Sequence, residues 1–149
     1  MPNSPFRYYL RVRYAECDGQ KIVFNARYGE YVELGTTEYL RALGFGEELI
    51  AGELDYQLVK QTIEWKASAR FDNVMEITIN TARVGTTSFE IFHEFRIAGA
   101  VPIIATAQTV YVCIDAQTLE KMPVSDALRK SLDSGAPGSV TDHAGFLIV

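Results

Sequence analysis

One segment of helical spacing is followed by a long stretch of strand spacing, and this order limits what the chain can fold into. Apolar residues between residues 26 and 43 repeat with the period of an α-helix, which predicts one long helix there. Residues 7–14 alternate between apolar and polar side chains, which predicts a strand before the helix. Four more strands are predicted over residues 57–66, 74–84, 89–97 and 101–115. One helix and one antiparallel sheet bury their apolar sides against each other, so we expect an α+β fold in which five strands wrap the helix.

Three residues define the predicted helix further. Asn25 precedes its first turn and suits an N-cap, because its side chain can accept a hydrogen bond from an open N–H group. Gly44 follows its last residue, where a left-handed cap is expected. Gly35 lies on the apolar stripe, so we expect another element to pack very close to the helix at that point.

We predict a single domain over residues 1–149, with its core over residues 7–132. Short turns join the last three strands into an antiparallel meander. A short closing helix is predicted over residues 123–132, and residues 133–149 read as a flexible tail with a frayed apolar end, FLIV. The edge strand and the outer sheet face favour association with a second copy.

Composition excludes several classes of function. The chain has 149 residues and a net charge of −5, so it has no electrostatic footprint for binding nucleic acid. Its 2 cysteines do not form a disulfide framework. No apolar run is long enough to span a membrane, and the first residues lack the apolar core of a signal peptide. These features predict a cytoplasmic protein without a nucleic-acid or membrane partner.

Asp18 stands in a polar turn seven residues ahead of Asn25, and the apolar run Ile22–Val23–Phe24 separates the two. Asp-Gly pairs favour turns, so one interpretation of Asp18 is purely conformational. A carboxylate fixed near a helix start also suits catalysis, because the first N–H groups of a helix have no partner and lie at its positive end. The spacing alone leaves both interpretations open.

The other titratable residues give weaker signals. Glu16 is expected at a strand end, exposed or paired with an arginine, and Glu38 is expected to make a structural hydrogen bond. His93 lies on an apolar strand face, where a histidine is usually a core residue. No cluster with metal-ligand spacing is present, and Cys17 has no neighbouring histidine in sequence to activate it. We therefore expect neither a metal nor a cofactor.

Three segments resemble the hotdog fold and, within it, the 4-hydroxybenzoyl-CoA thioesterase family of acyl-CoA thioesterases. The first is RVRYAECDGQKIVFNARYGEYVELGTTEYLRALG, residues 11–44, with the pattern Tyr-x-Glu-x-Asp, an apolar run, Tyr and a helical Glu. The second is ASARFDNVMEI, residues 67–77, and the third is ATAQTVYVCIDAQTLEKMP, residues 105–123. The resemblance covers residues 7–132, nearly the whole chain.

The resemblance implies the hydrolysis of an acyl-CoA thioester. Asp18 then matches the family's catalytic carboxylate, which acts as nucleophile or general base, and the backbone N–H of Asn25 polarises the carbonyl. The family often has His or Tyr where this chain has Asn25, but a backbone donor does not depend on the side chain. The resemblance also implies a homodimer or homotetramer with sites between subunits.

Substrate contacts follow from the chemistry of CoA. Its phosphates favour nearby cations, and Lys60, Lys66 and Arg70 are the predicted contacts. Phe24 and Tyr28 are predicted to line the pocket. The identity of the acyl group stays open, as does the choice between CoA and an acyl carrier protein.

Two rival functions share this fold. A hotdog dehydratase or hydratase pairs an acid with a nearby helical histidine, and residues 18–28 contain none. A non-catalytic module that binds acyl-CoA remains the main alternative, since a fold does not fix its chemistry.

Overall fold

The computed structural model describes residues 4–148, which form one sheet and three α-helices. In chain order the elements are β1 (Phe6–Arg11), α1 (Tyr28–Leu40), α2 (Gly46–Ala51), β2 (Tyr56–Trp65), β3 (Val74–Val84), β4 (Ser88–Ile97), β5 (Ile103–Cys113), α3 (Asp126–Ser134) and β6 (Val140–Asp142). The predicted α+β hotdog fold is confirmed, with a sixth strand added to the sheet. No helix in the described part of the chain is both long and apolar enough to cross a membrane.

The sheet has the order β2-β5-β4-β3-β1-β6. Strands β3, β4 and β5 form the predicted antiparallel meander, and β1 pairs antiparallel with β3. Among the described residues, strand β2 pairs only with β5 and therefore forms one open edge of the sheet. Leu58, Val59 and Trp65 on this edge are between 43% and 56% exposed.

Helix α1 packs against the inner face of the sheet, as predicted from Gly35. A Cβ atom added to Gly35 would lie 2.9 Å from Ile79 Cδ1 on β3 and 3.6 Å from His93 Cδ2 on β4. A side chain at this position would have to displace the Ile79 methyl group, so glycine allows this close approach of the helix. Gly44 has a φ of 99°, so the helical path ends at the left-handed glycine that was expected.

The start of the helix differs from the prediction. Asn25–Arg27 form a short 3-10 turn ahead of α1, and Phe24 occupies the cap position with extended φ and ψ angles of −66° and 130°. No side chain caps this turn, so the expected N-cap role of Asn25 is wrong. The reason lies in Phe24, whose N–H donates to the Glu16 carbonyl at 2.9 Å and keeps that residue extended.

Other elements also differ from the prediction. Strand β1 ends at Arg11 rather than at residue 14, because Tyr14–Glu16 form a 3-10 turn that leaves the Tyr14 side chain exposed. Helix α2 was not predicted. Helix α3 begins at Asp126, where the Ser125 hydroxyl accepts a hydrogen bond from the Leu128 N–H.

The C-terminal segment does not match the expected flexible tail. Its strand β6 pairs in parallel with β1 and covers the edge opposite β2. Beyond β6, the Phe146 ring stacks on Tyr9 with ring centroids 5.3 Å apart, so the predicted frayed end holds a defined contact. Val149, the last residue of the apolar FLIV end, lies outside the described residues.

Candidate functional site

Asp18 lies at the tip of a narrow hairpin formed by residues 17–23. Cys17 and Val23 form an antiparallel bridge at the base of this hairpin. The Asp18 N–H donates to the Ile22 carbonyl at 2.9 Å, and the Lys21 N–H donates to the Asp18 carbonyl at 2.9 Å. These bonds fix the backbone on both sides of the carboxylate.

The hairpin is tied to the segment that precedes β3. The Val23 N–H donates to the Ala69 carbonyl and the Phe71 N–H to the Lys21 carbonyl, both at 2.9 Å. Val23 is buried, whereas Phe24 is exposed, so Val23 supplies most of the predicted apolar anchor. The Asp18 turn is therefore fixed to the rest of the fold.

The Asp18 carboxylate is exposed and only half engaged. Its Oδ1 atom accepts hydrogen bonds from the Gln20 N–H at 2.8 Å and from the Ile22 N–H at 3.3 Å. Within residues 4–148, no donor reaches its Oδ2 atom. The residue therefore stabilises its own turn through one oxygen and presents the other to a ligand.

The Asn25 N–H is the matching donor at the far end of the loop. The Phe24 N–H donates to the Glu16 carbonyl and the Arg27 N–H to the Phe24 carbonyl. Within residues 4–148, the N–H groups of Asn25 and of the next residue, Ala26, have no backbone acceptor. As the first residue of a helical turn, Asn25 offers the kind of open donor that binds a developing oxyanion.

Glu16 holds the start of this loop. Its side chain is buried and accepts hydrogen bonds from the Arg13 N–H at 2.7 Å, the Arg13 guanidinium at 2.7 Å and the Tyr31 hydroxyl at 2.9 Å. Burial alone raises the pKa of Glu16, but the hydrogen bonds from Arg13 and Tyr31 outweigh it and the pKa is lowered. The arginine pair confirms one of the two expected environments, although the side chain lies in the core rather than on an exposed strand end.

The predicted substrate contacts are not all in one place. Arg70 forms a bridge with Ile22 in the Asp18 hairpin, and Lys66 follows the end of β2. Lys60 pairs with Val110 and points to the outer face of the sheet, away from α1. Phe24 is exposed beside Asn25, whereas Tyr28 is buried.

The Tyr28 ring belongs to the core. It packs edge-on against Trp65, with ring centroids 6.0 Å apart, and against Phe95, with ring centroids 5.3 Å apart. Among these three rings, Trp65 alone reaches the surface, at the open edge of the sheet.

Glu33 is a titratable group that the sequence analysis did not single out. Burial raises the pKa of this carboxyl, and a hydrogen bond with Tyr111 partly opposes that shift. Gly29, Glu33 and Thr37 follow one another at intervals of four along α1. A Cβ atom added to Gly29 would lie 3.4 Å from Gln61 Nε2 of β2, so this face of the helix lies beside the edge strand. The four-residue interval in the sequence indicates that these three residues share one face of α1. The sequence does not indicate that the edge strand β2 lies against this face.

His93 and the cysteines have structural surroundings. His93 is fully buried, its Nε2 lies 3.1 Å from Thr36 Oγ1, and burial lowers its pKa to about 3. This confirms the core interpretation. Burial and the carboxylates of Glu16 and Asp18 raise the pKa of Cys17, so the thiol stays protonated and is a poor nucleophile. The part of the chain that the structure describes contains no group of side chains suited to hold a metal ion.

A groove of about 350 Å³ lies between β1 and α1. Its lining residues are Tyr8, Leu10, Arg11, Arg13, Glu16, Leu34 and His143, and neither Asp18 nor Asn25 is among them. The candidate site is thus an open surface in the single chain, next to the end of the open strand β2.

Residues 12–132 match the model of the thioesterase-like superfamily. The acyl-CoA thioester hydrolase YbgC of Escherichia coli O6:H1 is 29% identical over 116 residues, which are 77% of this chain and 86% of that protein. A solved gentisyl-coenzyme A thioesterase superposes with a TM-score of 0.74 at 25% identity, over 85% of this chain and 98% of that chain. The 1,4-dihydroxy-2-naphthoyl-CoA thioesterase from Synechocystis superposes with a TM-score of 0.77 over 87% of this chain and 96% of that chain. The sequence identity between these two chains is 20%, so this match shows that they share the fold.

Proposed function

Because the chain belongs to the thioesterase-like superfamily, we propose that it hydrolyses an acyl-CoA thioester between Asp18 and the Asn25 N–H. The observation that carries this proposal is the pair of open groups at the two ends of one fixed loop. Asp18 Oδ2 is an unengaged acceptor and the Asn25 N–H is an unengaged donor. The bonds that join Val23 to Ala69 and Phe24 to Glu16 hold these groups in a constant relationship.

Each group has one task in the reaction. The Asn25 N–H donates to the carbonyl oxygen, which becomes negative as the carbon is attacked, and a well-placed donor of this kind contributes roughly 3–4 kcal/mol. Asp18 either removes a proton from the attacking water or attacks the carbon itself to form an anhydride that water then cleaves. In both routes the C–S bond breaks, CoA leaves as the thiolate and takes up a proton, and the acyl group becomes a carboxylic acid.

A second copy of the chain completes the site in this proposal. The Asp18 loop is open to solvent, whereas a reacting thioester benefits from a shielded environment. Strand β2 leaves one sheet edge unpaired beside the end of the loop, with exposed Leu58, Val59 and Trp65. We therefore propose a homodimer or homotetramer whose subunits share the walls of each site. Phe24, Tyr28, Lys66 and Arg70 remain the proposed substrate contacts of this site, and Lys60 reaches the substrate only from the outer sheet face.

Thiol release from a panel of acyl-CoAs tests the proposal. The panel spans short, medium and long aliphatic chains and aromatic acyl groups, and the Asp18→Asn variant is compared with the natural protein. We expect turnover of at least one thioester and a loss of at least about 100-fold in Asp18→Asn, the usual scale for a positioned acid–base group. Binding of acyl-CoA without turnover would instead identify a non-catalytic acyl-CoA module.

A further inference from the structure

Two aromatic side chains are exposed beside the Asp18 hairpin. Tyr14 is 68% exposed and Phe71 is 42% exposed, and their rings meet edge to face with centroids 5.4 Å apart. An edge-to-face pair buries the edge of one ring and one face of the other, so a ring face stays available for stacking. The two residues are 57 positions apart in sequence, so the fold itself brings them together on the surface.

Backbone hydrogen bonds attach both aromatic residues to the ends of the turn that carries Asp18. The Tyr14 carbonyl accepts the Cys17 N–H at 3.1 Å, and the Phe71 N–H donates to the Lys21 carbonyl at 2.9 Å. The aromatic pair therefore keeps a fixed position relative to the Asp18 carboxylate, just outside the proposed reaction site.

Two cations without carboxylate partners lie next to this pair. Arg11, Arg13 and Arg27 are each engaged with a carboxylate, that of Asp72, Glu16 and Glu30 respectively. The ion pairs of the described chain include neither Lys21, which lies in the hairpin, nor Arg70, which forms a bridge with Ile22 of the hairpin. In a chain with a net charge of −5, this is a local site for an anion.

The backbone of Lys21 suits a glycine. Lys21 has a φ of 62°, the left-handed conformation that glycine adopts most easily. Its N–H donates to the Asp18 carbonyl and the Asp18 N–H donates to the Ile22 carbonyl, so Lys21 is the last residue of a three-residue hairpin loop, where this conformation is usual. Glycine at this position would therefore remove the ammonium group without straining the turn.

We propose that Tyr14 and Phe71, together with Lys21 and Arg70, bind the nucleotide end of CoA. The adenine base stacks on the open aromatic face, and the phosphates lie against the two cations. This inference rests on the proposed thioesterase function and names the part of the substrate that the exposed surface takes. The acyl group has to be shielded from water at the opposite end of the pantetheine arm, so it does not occupy this surface.

Substrates with and without the nucleotide test this assignment. The natural protein and the variants Tyr14→Ala, Phe71→Ala and Lys21→Gly are assayed with the best acyl-CoA and with the same acyl group on N-acetylcysteamine. We expect kcat/KM for the acyl-CoA to fall about tenfold in Tyr14→Ala, through a higher KM, on the scale of one lost base-stacking contact. The ratio of kcat/KM for the acyl-CoA to kcat/KM for the N-acetylcysteamine thioester falls by the same factor. Lys21→Gly lowers the same ratio although glycine suits the backbone conformation.

Controls separate the possible failures. Val101→Ala, at an exposed apolar residue on the loop between β4 and β5, keeps the natural ratio. An equal loss for both substrates, no loss for either, or a change in oligomeric state at unchanged CoA affinity would overturn the assignment.

If the natural protein hydrolyses neither thioester, the proposed function fails on its own, and calorimetric binding of adenosine 3′,5′-bisphosphate decides this inference. Binding that weakens about tenfold in Tyr14→Ala then supports the nucleotide site. Absent binding, or binding that is the same in both proteins, contradicts it.

Discussion

The Tyr31 hydroxyl donates a 2.9 Å hydrogen bond to the Glu16 carboxylate, and this contact joins α1 to the turn ahead of Asp18. Glu16 also pairs with Arg13 at 2.7 Å and accepts the Arg13 N–H, while its own carbonyl accepts the Phe24 N–H. One buried residue thus fixes both the start of the Asp18 loop and the residue before Asn25. We regard Glu16 as a positioning residue, since no reacting atom needs to touch it.

Replacing Glu16 by Gln is expected to lower the free energy of unfolding by about 2 kcal/mol, because a charged hydrogen bond of a buried carboxylate is lost. Urea unfolding measures the change. Glu30→Gln is a matched control, since the Arg27–Glu30 pair has the same spacing and the same 2.7 Å distance but is exposed. Its loss should cost less than about 1 kcal/mol. Equal effects of the two variants would contradict the structural role of Glu16.

Acid is expected to weaken the fold through His93. Burial lowers the pKa of His93 to about 3, from an ordinary value of 6.5. Between pH 3 and pH 6.5, His93 is therefore protonated in the unfolded chain and neutral in the folded chain. Stability contributed by neutral His93 is therefore lost as the pH falls below about 6.5, by at most about 1.4 kcal/mol per pH unit. NMR titration of the imidazole should show it neutral at pH 5 in the folded protein. A charged imidazole at that pH, with the fold intact, would refute this assignment.

Gly29 and Gly35 are both on α1 but are expected to respond differently to alanine. Alanine gains about 1 kcal/mol over glycine in a helix interior. At Gly29 the new Cβ would meet only the Gln61 side-chain amide at 3.4 Å, whereas at Gly35 it would lie 2.9 Å from Ile79 Cδ1. We expect Gly29→Ala to raise the thermal midpoint and Gly35→Ala to lower it relative to Gly29→Ala. Indistinguishable midpoints would mean that the helix does not need to approach β3 so closely.

These examples show which features the sequence predicts. Gly35, Gly44 and the β3–β4–β5 meander follow from local periodicity and turn residues, and the structure confirms them. The face on which Leu58 lies does not, because a β-bulge between Leu58 and Lys60 shifts the register within β2 and pairs Leu58 with Tyr111. Strand β6 was missed since its three residues pair in parallel with the distant β1, and no local pattern marks such a contact. Glu16 was placed at an exposed or paired position, but its burial depends on Tyr31, which is contributed by α1.

Asp142 is expected to hold the C-terminal segment in place. Its carboxylate accepts hydrogen bonds from the N–H groups of Ala144, Phe146 and Leu147 at 3.0, 3.1 and 2.8 Å. Asp142→Ala should release this turn and increase hydrogen exchange in β6 and in residues 143–148, whereas the exposed control Asp133→Ala should not. Release of β6 uncovers the outer edge of β1, so we also expect self-association to rise with concentration. Unchanged exchange in Asp142→Ala would show that β6 holds the edge without this turn.

The central claim is that the thioester carbonyl lies between Asp18 and a backbone donor at Asn25. The most direct measurement is the rate of thiol release at saturating acyl-CoA in Asn25→Pro and Asn25→Ala. Proline removes the N–H at a first helical position that tolerates it, and the extended Phe24 before it suits a proline as well. The account predicts a loss of about 100- to 1,000-fold in Asn25→Pro and near-natural activity in Asn25→Ala, with both variants folded. Full activity in Asn25→Pro, or an equal loss in both variants, would contradict it.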